Sequence, residues 1–340
     1  MSANSITSSV IRVGIVGAGN VARNNYLPWL SRQEGMELYC YSRTPAKTEA
    51  VAAQFGACVV TSPADLAAVK PDVVFILTNE AGHVPVAEAL LQYGVKRLFI
   101  EKPLQAENGQ ADVTETDFFT AREMLRKAQQ CGTEVAMNFN YRFFTQNGRL
   151  QQLIRERNFG KLQQSSWNVH YACWSHCIDL LRYFGGAVHM VSALQGMHTF
   201  GSGDMAGKDV AAAFTLNNGA VGTIIGTSAP AFQLPLYHAT LNFEHGTAVF
   251  SDLDSQLTLY HEDSHFGETS FLIPDKSRWI QYAASFENSL TAYFHAVRNG
   301  EPPPVSGQDG LAELQFEAAL RRSAATGKPV EIEKEFPLDI

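Results

Sequence analysis

The stretch VGIVGAGNVA, residues 13–22, decides the fold of the first half of the chain. It follows a short apolar strand and carries the spacing Gly-x-Gly-x-x-Ala. In such a turn the first glycine permits a tight bend, the second lets a pyrophosphate approach the backbone, and the small last residue lets helix and strand pack closely. The pattern between a predicted strand and a predicted helix favours a dinucleotide site over another glycine-rich turn. The residues expected to line this site are Gly17, Ala18, Gly19, Asn20 and Val21.

Around this turn, short apolar strands alternate with amphipathic helical stretches from residue 11 to about residue 140. Strict alternation predicts a parallel sheet with helices on both faces, and therefore a doubly wound α/β domain of the Rossmann type over residues 1–142. The polar segment 106–117 is expected to be a surface loop, with Thr114 and Thr116 as possible caps of the helix after it. The predicted strands are 11–16, 36–41, 58–60, 72–77, 97–100 and 134–139, and the predicted helices are 20–33, 45–55, 81–93 and 117–131.

Residues 143–340 have a different pattern, in which strands follow one another through short turns. Such a run predicts antiparallel neighbours, so this half is expected to be an α+β domain with an open, mostly antiparallel sheet. The predicted strands are 163–170, 188–199, 209–216, 220–227, 237–244, 247–252 and 256–260, and the predicted helices are 145–157, 174–184, 278–298 and 308–325.

Composition excludes several classes of protein. The 340 residues exceed what one core usually serves, which predicts two domains. A formal charge of -8 leaves no excess of lysine and arginine for nucleic acid, and the longest apolar runs are too short to span a membrane. The five scattered cysteines suit a reducing compartment, and the polar N-terminus does not resemble a signal peptide. We therefore expect a cytoplasmic protein with no nucleic-acid or membrane partner.

The end of the second predicted strand indicates which cofactor is used. Enzymes that use NAD usually carry an acidic residue there for the ribose hydroxyls. This strand ends instead in Ser42, Arg43 and Thr44, with Lys47 one turn later. A guanidinium with hydroxyls beside it suits a 2′-phosphate, so NADP(H) is favoured over NAD(H). The alternative is a solvated turn with no role in binding.

Two further motifs carry candidate chemistry. FIEKPL, 99–104, places Glu101 and Lys102 after a parallel strand, at the edge of the sheet where such folds bind ligands. HYACWSHCID, 170–179, holds two histidines and two cysteines and could be a metal site or a catalytic helix. Consecutive helical residues diverge by about 100°, so His176 and Cys177 are poorly placed to bind one ion. We expect no metal there and prefer His176 as a proton carrier.

The chain resembles the glucose–fructose oxidoreductase, inositol dehydrogenase and MocA (Gfo/Idh/MocA) family of nicotinamide-dependent oxidoreductases. An ordered set of motifs along essentially the whole chain carries the resemblance. They are the fingerprint at 13–22, LTNEAGH with Thr78, Asn79 and His83, EKPL, NFNYRF, HCIDLLRYFGG and GLAELQFEAALRRSAATGKPVEI.

The resemblance implies roles for particular residues. Lys102 would lie by the nicotinamide and the substrate, and His176, with Asp179 on the same helix, would carry the proton. Tyr141 and Arg142 are expected to line the substrate cleft. Many members have an aspartate four residues before that histidine, where this chain has Ala172. Without that anion, His176 is expected to titrate closer to its ordinary pKa of about 6.5 than it would with a carboxylate beside it.

Together these observations predict NADP(H)-dependent hydride transfer to or from a secondary alcohol or ketone of a sugar, sugar derivative or cyclitol. Thr78, Asn79, His83 and Glu101 join the expected cofactor site, and an open sheet favours a homodimer or homotetramer. Two other functions stay open for such a chain. One is glycoside cleavage with a tightly held NAD and no net redox change, and the other is a cofactor-sensing regulator without catalysis.

Overall fold

The computed structural model describes residues 10–229, 235–253, 256–262, 267–271 and 277–340. The N-terminal residues 1–9, which the signal-peptide expectation concerned, lie outside the described part.

Six parallel strands form the first sheet, in the order β3-β2-β1-β4-β5-β6. This order is that of a dinucleotide-binding doubly wound sheet, so the predicted fold class is confirmed. The strand order reverses beside β1, and the crevice at that point lies outside the carboxyl ends of the strands. The strands are β1 Ile11–Val16, β2 Met36–Tyr41, β3 Cys58–Val59, β4 Val73–Ile76, β5 Arg97–Ile100 and β6 Glu134–Met137.

Helices cover both faces of this sheet. The first begins with one π-helical turn, Ala22–Tyr26, and the last is capped by Thr114, whose side chain and that of Asp117 exchange bonds with each other's backbone. The sequence analysis did not predict α3, although Ser62 caps this helix by accepting a hydrogen bond from the backbone N–H of Asp65. The helices are α1 Leu27–Leu30, α2 Pro45–Phe55, α3 Pro63–Ala68, α4 His83–Leu91 and α5 Glu115–Gln130.

Nine described strands form the second sheet, in the order β14-β13-β12-β11-β7-β10-β9-β8-β15. All its pairs are antiparallel except β7 with β10, which confirms the expected mostly antiparallel sheet. The strands are β7 Leu162–His170, β8 Val188–Phe200, β9 Gly207–Leu216, β10 Val221–Thr227, β11 Tyr237–Phe243, β12 Gly246–Ser251, β13 Gln256–His261, β14 Glu268–Phe271 and β15 Val330–Glu331.

The remaining helices lie between the two sheets or beside the second one. α7 packs on β7, and α9 packs on β8. The residues along β8, β9 and β10 alternate between buried and exposed. One face of the second sheet is therefore covered and the other is open. The helices are α6 Thr145–Glu156, α7 Trp174–Gly185, α8 Arg278–Asn299, α9 Gly307–Thr326 and α10 Ile332–Glu335.

Helix α8 comes late in the chain but packs on the first sheet. Phe286 meets Tyr26 with ring centroids 5.4 Å apart, and Tyr293 meets Phe99 at 4.8 Å. These contacts fill the face of β4 and β5 that the helices of the first half leave uncovered. The boundary predicted at residue 142 therefore describes the order of elements along the chain, while the packing joins the two halves.

The segment 106–117 is not the surface loop that its composition suggested. Ala111 and Val113 are buried, and the carbonyl oxygen of Ala111 accepts a 2.7 Å hydrogen bond from Arg321 on α9. The segment packs against the second half because its few apolar residues find partners there, which charge composition alone does not reveal.

The fingerprint turn depends on glycine at one position and leaves space at another. Gly17 has φ +110°, and a Cβ there would lie 2.6 Å from the carbonyl oxygen of Leu77 at the end of β4. A Cβ at Gly19 would meet nothing within 4 Å. The first glycine is thus required by the fold, whereas the second leaves an open space above the turn.

We predict that Gly17→Ala lowers the free energy of unfolding by at least about 1–3 kcal/mol, because it combines a strained backbone with a clash against β4. Gly19→Ala is the matched control and should change stability by no more than about 0.5 kcal/mol. Urea unfolding of the two variants beside the wild type measures both values. Equal stabilities of the two variants would contradict this account of the turn.

Candidate active site

The open space above Gly19 lies at the start of the first helix, where a pyrophosphate would approach backbone N–H groups. Asn20 and Val21 beside it are exposed, and Ala22 is fully buried against the sheet. The residues present therefore fit a dinucleotide at this edge of the sheet.

The residues expected to select the cofactor follow β2. The Ser42 hydroxyl is 2.6 Å from that of Thr48, which orders the turn, while Arg43, Thr44 and Lys47 are exposed. No acidic residue stands at this end of β2. Arg43 forms no hydrogen bond or ion pair within the described residues, so its guanidinium is available to a ligand.

His83 was expected to contact the cofactor, but it is a buried side chain between two loops. Its Nδ1 is 2.8 Å from the carbonyl oxygen of Pro103, and its Nε2 is 3.2 Å from that of Thr78. Burial lowers its pKa, so the imidazole is neutral and donates to one of these carbonyls at a time. This arrangement favours a positioning role for His83, which ties the loop after β4 to the loop after β5. Asn79 beside this contact is exposed.

Glu101, also expected in the cofactor site, forms its hydrogen bonds with groups of the protein. One carboxylate oxygen accepts from the Tyr26 hydroxyl at 2.5 Å and from the Asn138 amide at 3.0 Å. The other accepts from the backbone N–H of Lys102 at 2.7 Å. The carboxylate therefore fixes the backbone from which Lys102 projects. Tyr26 and Asn138 were missed by the sequence analysis, because nothing local links positions so far apart in the chain.

Lys102 projects into the cleft as a half-buried cation. Its Nζ donates to the side-chain oxygen of Gln110, which lies on the buried segment 106–117. Gln110 was also missed, because that segment was expected to be a surface loop. A neutral amide oxygen holds the ammonium in place without neutralising its charge.

His176 lies close enough to Lys102 for the two to interact electrostatically. Its ring stacks on Tyr141 with centroids 4.0 Å apart and an interplanar angle of 10°, and Phe139 contacts it edge-on. Its Nδ1 is buried without a hydrogen-bond partner among the described residues. Burial, and then the charge of Lys102, lower the pKa of His176 well below 6.5, which corrects the expectation of an ordinary value.

Tyr141 links this histidine to the start of α7. Its hydroxyl lies 3.0 Å from the thiol of Cys173, and its ring is almost completely buried. Burial raises the pKa of Tyr141 far above its usual range, so the phenol stays protonated. Tyr141 thus lies against the candidate proton carrier, and its expected place in the substrate cleft stays a prediction.

Arg142, which was expected to line the substrate cleft, binds Asp179 on α7. The guanidinium binds Asp179 through two bonds of 2.8 and 2.5 Å and also donates to Asp309 on α9 at 2.9 Å. Burial raises the pKa of Asp179 to about 6 against the opposing effect of Arg142. The geometry favours a structural ion pair over the substrate-binding role.

The histidines and cysteines of 170–179 are dispersed over different elements. His170 ends β7 and accepts from the Ala172 backbone N–H, Cys173 meets Tyr141, and Cys177 is buried on α7. Within the described ranges, no group of three or more His, Cys, Asp or Glu side chains is arranged to hold a metal ion. The absence of a bound metal stays a prediction.

Comparison with known proteins relates the first part of the chain to a family. Residues 11–139 match the model of the GFO_IDH_MocA family, described as an oxidoreductase family with an NAD-binding Rossmann fold. This part of the chain is therefore similar to that oxidoreductase family. The matched residues contain the fingerprint turn, Glu101 and Lys102, while His176 lies in the half beyond them.

Several named dehydrogenases and solved structures are similar to the chain over nearly its full length. D-glucoside 3-dehydrogenase from Escherichia coli is 26% identical, and the match covers 97% of this chain and 99% of that protein. Inositol 2-dehydrogenase from Rhizobium meliloti is 22% identical, and the match covers 95% of this chain and 99% of that protein. An Agrobacterium radiobacter oxidoreductase, solved with NAD+, L-tartaric acid and magnesium, shares the fold with a TM-score of 0.81 at 18% identity. The match covers 96% of this chain and 100% of that one. None of the described helices has the length and apolar character to cross a membrane.

We predict that Arg142→Leu lowers the free energy of unfolding by about 3–5 kcal/mol at neutral pH, because it leaves the buried Asp179 without its cation. Without Arg142 the pKa of Asp179 would rise above its wild-type value of about 6, so the loss is largest at pH values above both pKa values and shrinks as the pH falls towards 6. Denaturant unfolding at several pH values measures the difference.

Arg32→Leu is the control for this prediction, because the Arg32–Glu287 pair is exposed and should contribute at most about 1 kcal/mol. A loss in Arg142→Leu that is as small as the loss in the control would show that the ion pair does not stabilise the fold.

Proposed function

We propose that this protein is an NADP(H)-dependent oxidoreductase that transfers a hydride to or from a secondary alcohol or ketone of a sugar, sugar derivative or cyclitol. One observation carries the proposal. The half-buried Lys102 follows β5 of a sheet that begins with a dinucleotide fingerprint, and its charge acts on the buried His176. A bound nicotinamide would supply the acceptor or donor of the hydride.

His176 is suited to take the proton of the substrate hydroxyl. Its lowered pKa keeps the imidazole neutral across the physiological range, and a neutral imidazole nitrogen accepts a proton. In the reducing direction, the same residue in its protonated form returns a proton to the product oxygen. Tyr141, stacked on the ring, restrains its orientation and excludes water from one face.

Lys102 is suited to hold the oxygen of the substrate. As the hydroxyl loses its proton, negative charge develops on this oxygen, and an ammonium beside it stabilises that charge. Glu101 fixes the backbone of Lys102 and Gln110 fixes its Nζ, so little reorganisation is needed during the reaction.

The substrate class follows from the relatives and the chemistry together. Two full-length relatives are named for a glucoside and for inositol, both of which carry secondary hydroxyl groups. The position four residues before the candidate histidine holds Ala172, where many family members have a carboxylate. This difference supports a pocket shaped differently from theirs.

The choice of NADP(H) rests on Arg43. The family model describes NAD binding, and the Agrobacterium radiobacter structure contains NAD+. In this chain an exposed guanidinium, without a partner among the described residues, stands at the end of β2, where an acid would serve the ribose of NAD. A 2′-phosphate would pair with it.

Self-association and location complete the proposal. Leu194 and Met197 on β8 are 75% and 88% exposed, and Val221 and Ile225 on β10 are also exposed on the open face of the second sheet. A second copy of the chain would cover this apolar face, giving a homodimer or homotetramer. The cytoplasmic location stays a prediction.

We predict that His176→Ala lowers kcat by about 10²–10⁴-fold, the usual contribution of a general acid or base. Lys102→Ala should be at least as damaging, because it removes the charge beside the developing alkoxide. Neither variant should weaken binding of the nucleotide, since neither side chain is needed to hold the phosphates. Turnover of a panel of sugars and cyclitols, with NADPH affinity measured by fluorescence, tests both.

His295→Ala, an exposed histidine on α8, is the control and should keep full turnover. A near-normal kcat for His176→Ala would assign the proton carrier elsewhere, with Tyr141 as the next candidate.

We also predict that the wild type binds NADPH at least several-fold more tightly than NADH and that Arg43→Asp reverses the order, because a charge-assisted pair contributes about 1.5–3 kcal/mol. Arg298→Asp makes the same charge change on an exposed part of α8 and should leave the ratio unchanged. Equal affinities of the wild type for the two nucleotides would overturn the assignment.

A further inference from the structure

The segment 106–113, between β5 and α5, holds one polar side chain in a fixed place. Ala111 and Val113 of this segment are almost completely buried. The carbonyl oxygen of Ala111 accepts a 2.7 Å hydrogen bond from Arg321 on α9. Gln110, the residue before Ala111, therefore extends its side chain from a backbone that is anchored to the second half of the chain.

The amide of Gln110 can face Lys102 in one orientation alone. The Nζ of Lys102 only donates hydrogen bonds, so the amide oxygen has to point toward it, and Oε1 is the atom that accepts from Nζ. The amide nitrogen Nε2 is attached to the same carbon as Oε1, so it lies beside the ammonium. Within the described residues, Nε2 donates to the Sδ of Met205 at 3.6 Å.

This amide nitrogen can form more hydrogen bonds than the protein provides. It carries two N–H groups, and the thioether sulfur of Met205 is a weak acceptor for one of them. The other N–H group has no partner within the described part of the chain. Gln110 is only 9% exposed, so bulk water serves this group poorly. A donor in this state has an energetic cost that a ligand oxygen would remove.

The ammonium beside the amide also has donors left over. One of its three N–H groups binds Gln110, and the Lys102 side chain forms no other hydrogen bond or ion pair with the described residues. A ligand oxygen that binds a remaining N–H group would lie next to the Nε2 of Gln110. Neighbouring ring hydroxyls of a sugar or cyclitol lie within a hydrogen-bond length of each other. Two adjacent donors of this kind therefore suit two oxygens on adjacent carbons.

The choice of an amide at this position also favours a role beyond holding Nζ in place. Holding the ammonium requires only an acceptor, and a glutamate would hold it more strongly. A glutamate would, however, neutralise the charge of Lys102 and would bring no N–H donor. Gln110 leaves Lys102 cationic and adds a donor beside it.

We propose that Gln110 is a specificity-determining residue that binds the substrate directly. Its Nε2 donates a hydrogen bond to the oxygen on the carbon next to the one whose oxygen Lys102 holds. The inference rests on the proposed function, in which Lys102 binds the reacting oxygen, and it narrows the substrate class. The site selects vicinal diols, such as sugars and cyclitols, over secondary alcohols that have no neighbouring oxygen.

Two variants remove the N–H groups and keep the segment in place. Gln110→Met retains the length of the side chain, and Gln110→Leu retains much of its volume, but neither side chain carries an N–H group. Gln152→Leu is the matched control, because Gln152 is an exposed glutamine on α6.

Equilibrium binding tests the contact without turnover. The probes are methyl β-D-glucoside and myo-inositol, each compared with analogues that lack one ring hydroxyl. Calorimetry with NADPH bound measures the affinities, because an alcohol cannot be oxidised while the nucleotide is already reduced. For one missing hydroxyl, the wild type and Gln152→Leu should lose about three- to tenfold in affinity, the usual contribution of one neutral hydrogen bond.

The same comparison in Gln110→Met and Gln110→Leu should show equal affinities for the parent and that analogue. Lys102→Ala identifies in the same way the hydroxyl that Lys102 holds, and the two hydroxyls should be on adjacent carbons. If Gln110 only positioned Lys102, both affinities would fall together and their ratio would keep its wild-type value. That unchanged ratio, two hydroxyls on carbons that are not adjacent, or a wild type that binds neither probe overturns the inference.

Turnover of the same probes with the oxidised nucleotide decides the proposed function separately. If the wild type binds the probes with the expected ratios but oxidises neither, hydride transfer fails as the function, and the recognition by Gln110 stands. If the wild type oxidises a probe but both Gln110 variants keep its affinity ratios, only the role of Gln110 is wrong.

Discussion

The buried carboxylate of Glu101 is the interaction on which the site depends. It accepts hydrogen bonds from Tyr26 on the first helix, from Asn138 after β6 and from the backbone of Lys102. Asn138 in turn accepts from Ser289 on α8, so one network joins elements from both ends of the chain. A buried carboxylate requires such partners, since an unpaired one would cost several kcal/mol. The network therefore holds the strand end from which Lys102 projects in one position.

The two halves of the chain share their cores because each leaves a surface that the other covers. Helix α8 fills the face of the first sheet above β4 and β5, and Val305, just before α9, accepts a 3.0 Å hydrogen bond from the Met137 N–H of β6. The ion pair of Arg142 with Asp179 and Asp309 joins further elements of the second half. The candidate site is thus tied to both halves of the chain, which suits a reaction in which hydride and proton must move over fixed distances.

Some buried polar groups lack a conventional partner among the described residues. They include the Nδ1 of His176, the indole N–H of Trp174 and the carboxyl groups of Glu313 and Glu317. A buried polar group without a partner lowers stability, and such costs are expected mainly where a protein uses the group. Burial also changes acidity: it lowers the pKa of His176 and raises the pKa of Glu313.

The sequence by itself determined the features that depend on neighbours in the chain. The period of apolar residues gave the strands and most helices, and the spacing of Gly17, Gly19 and Ala22 indicated the dinucleotide turn, because side-chain direction and turn geometry are local properties. Lys102 and His176 were found from motifs and from family resemblance.

Only the tertiary structure decided which side chains meet. The bond from Lys102 to Gln110, the ion pair from Arg142 to Asp309, and the burial of His83 and Glu101 join residues that local patterns cannot relate. A buried polar group takes whichever partner the packing of distant elements brings to it, and its pKa follows from that burial. For this reason the sequence indicated the candidate residues and their chemistry, and the fold determined the partners, burial and acidity of each.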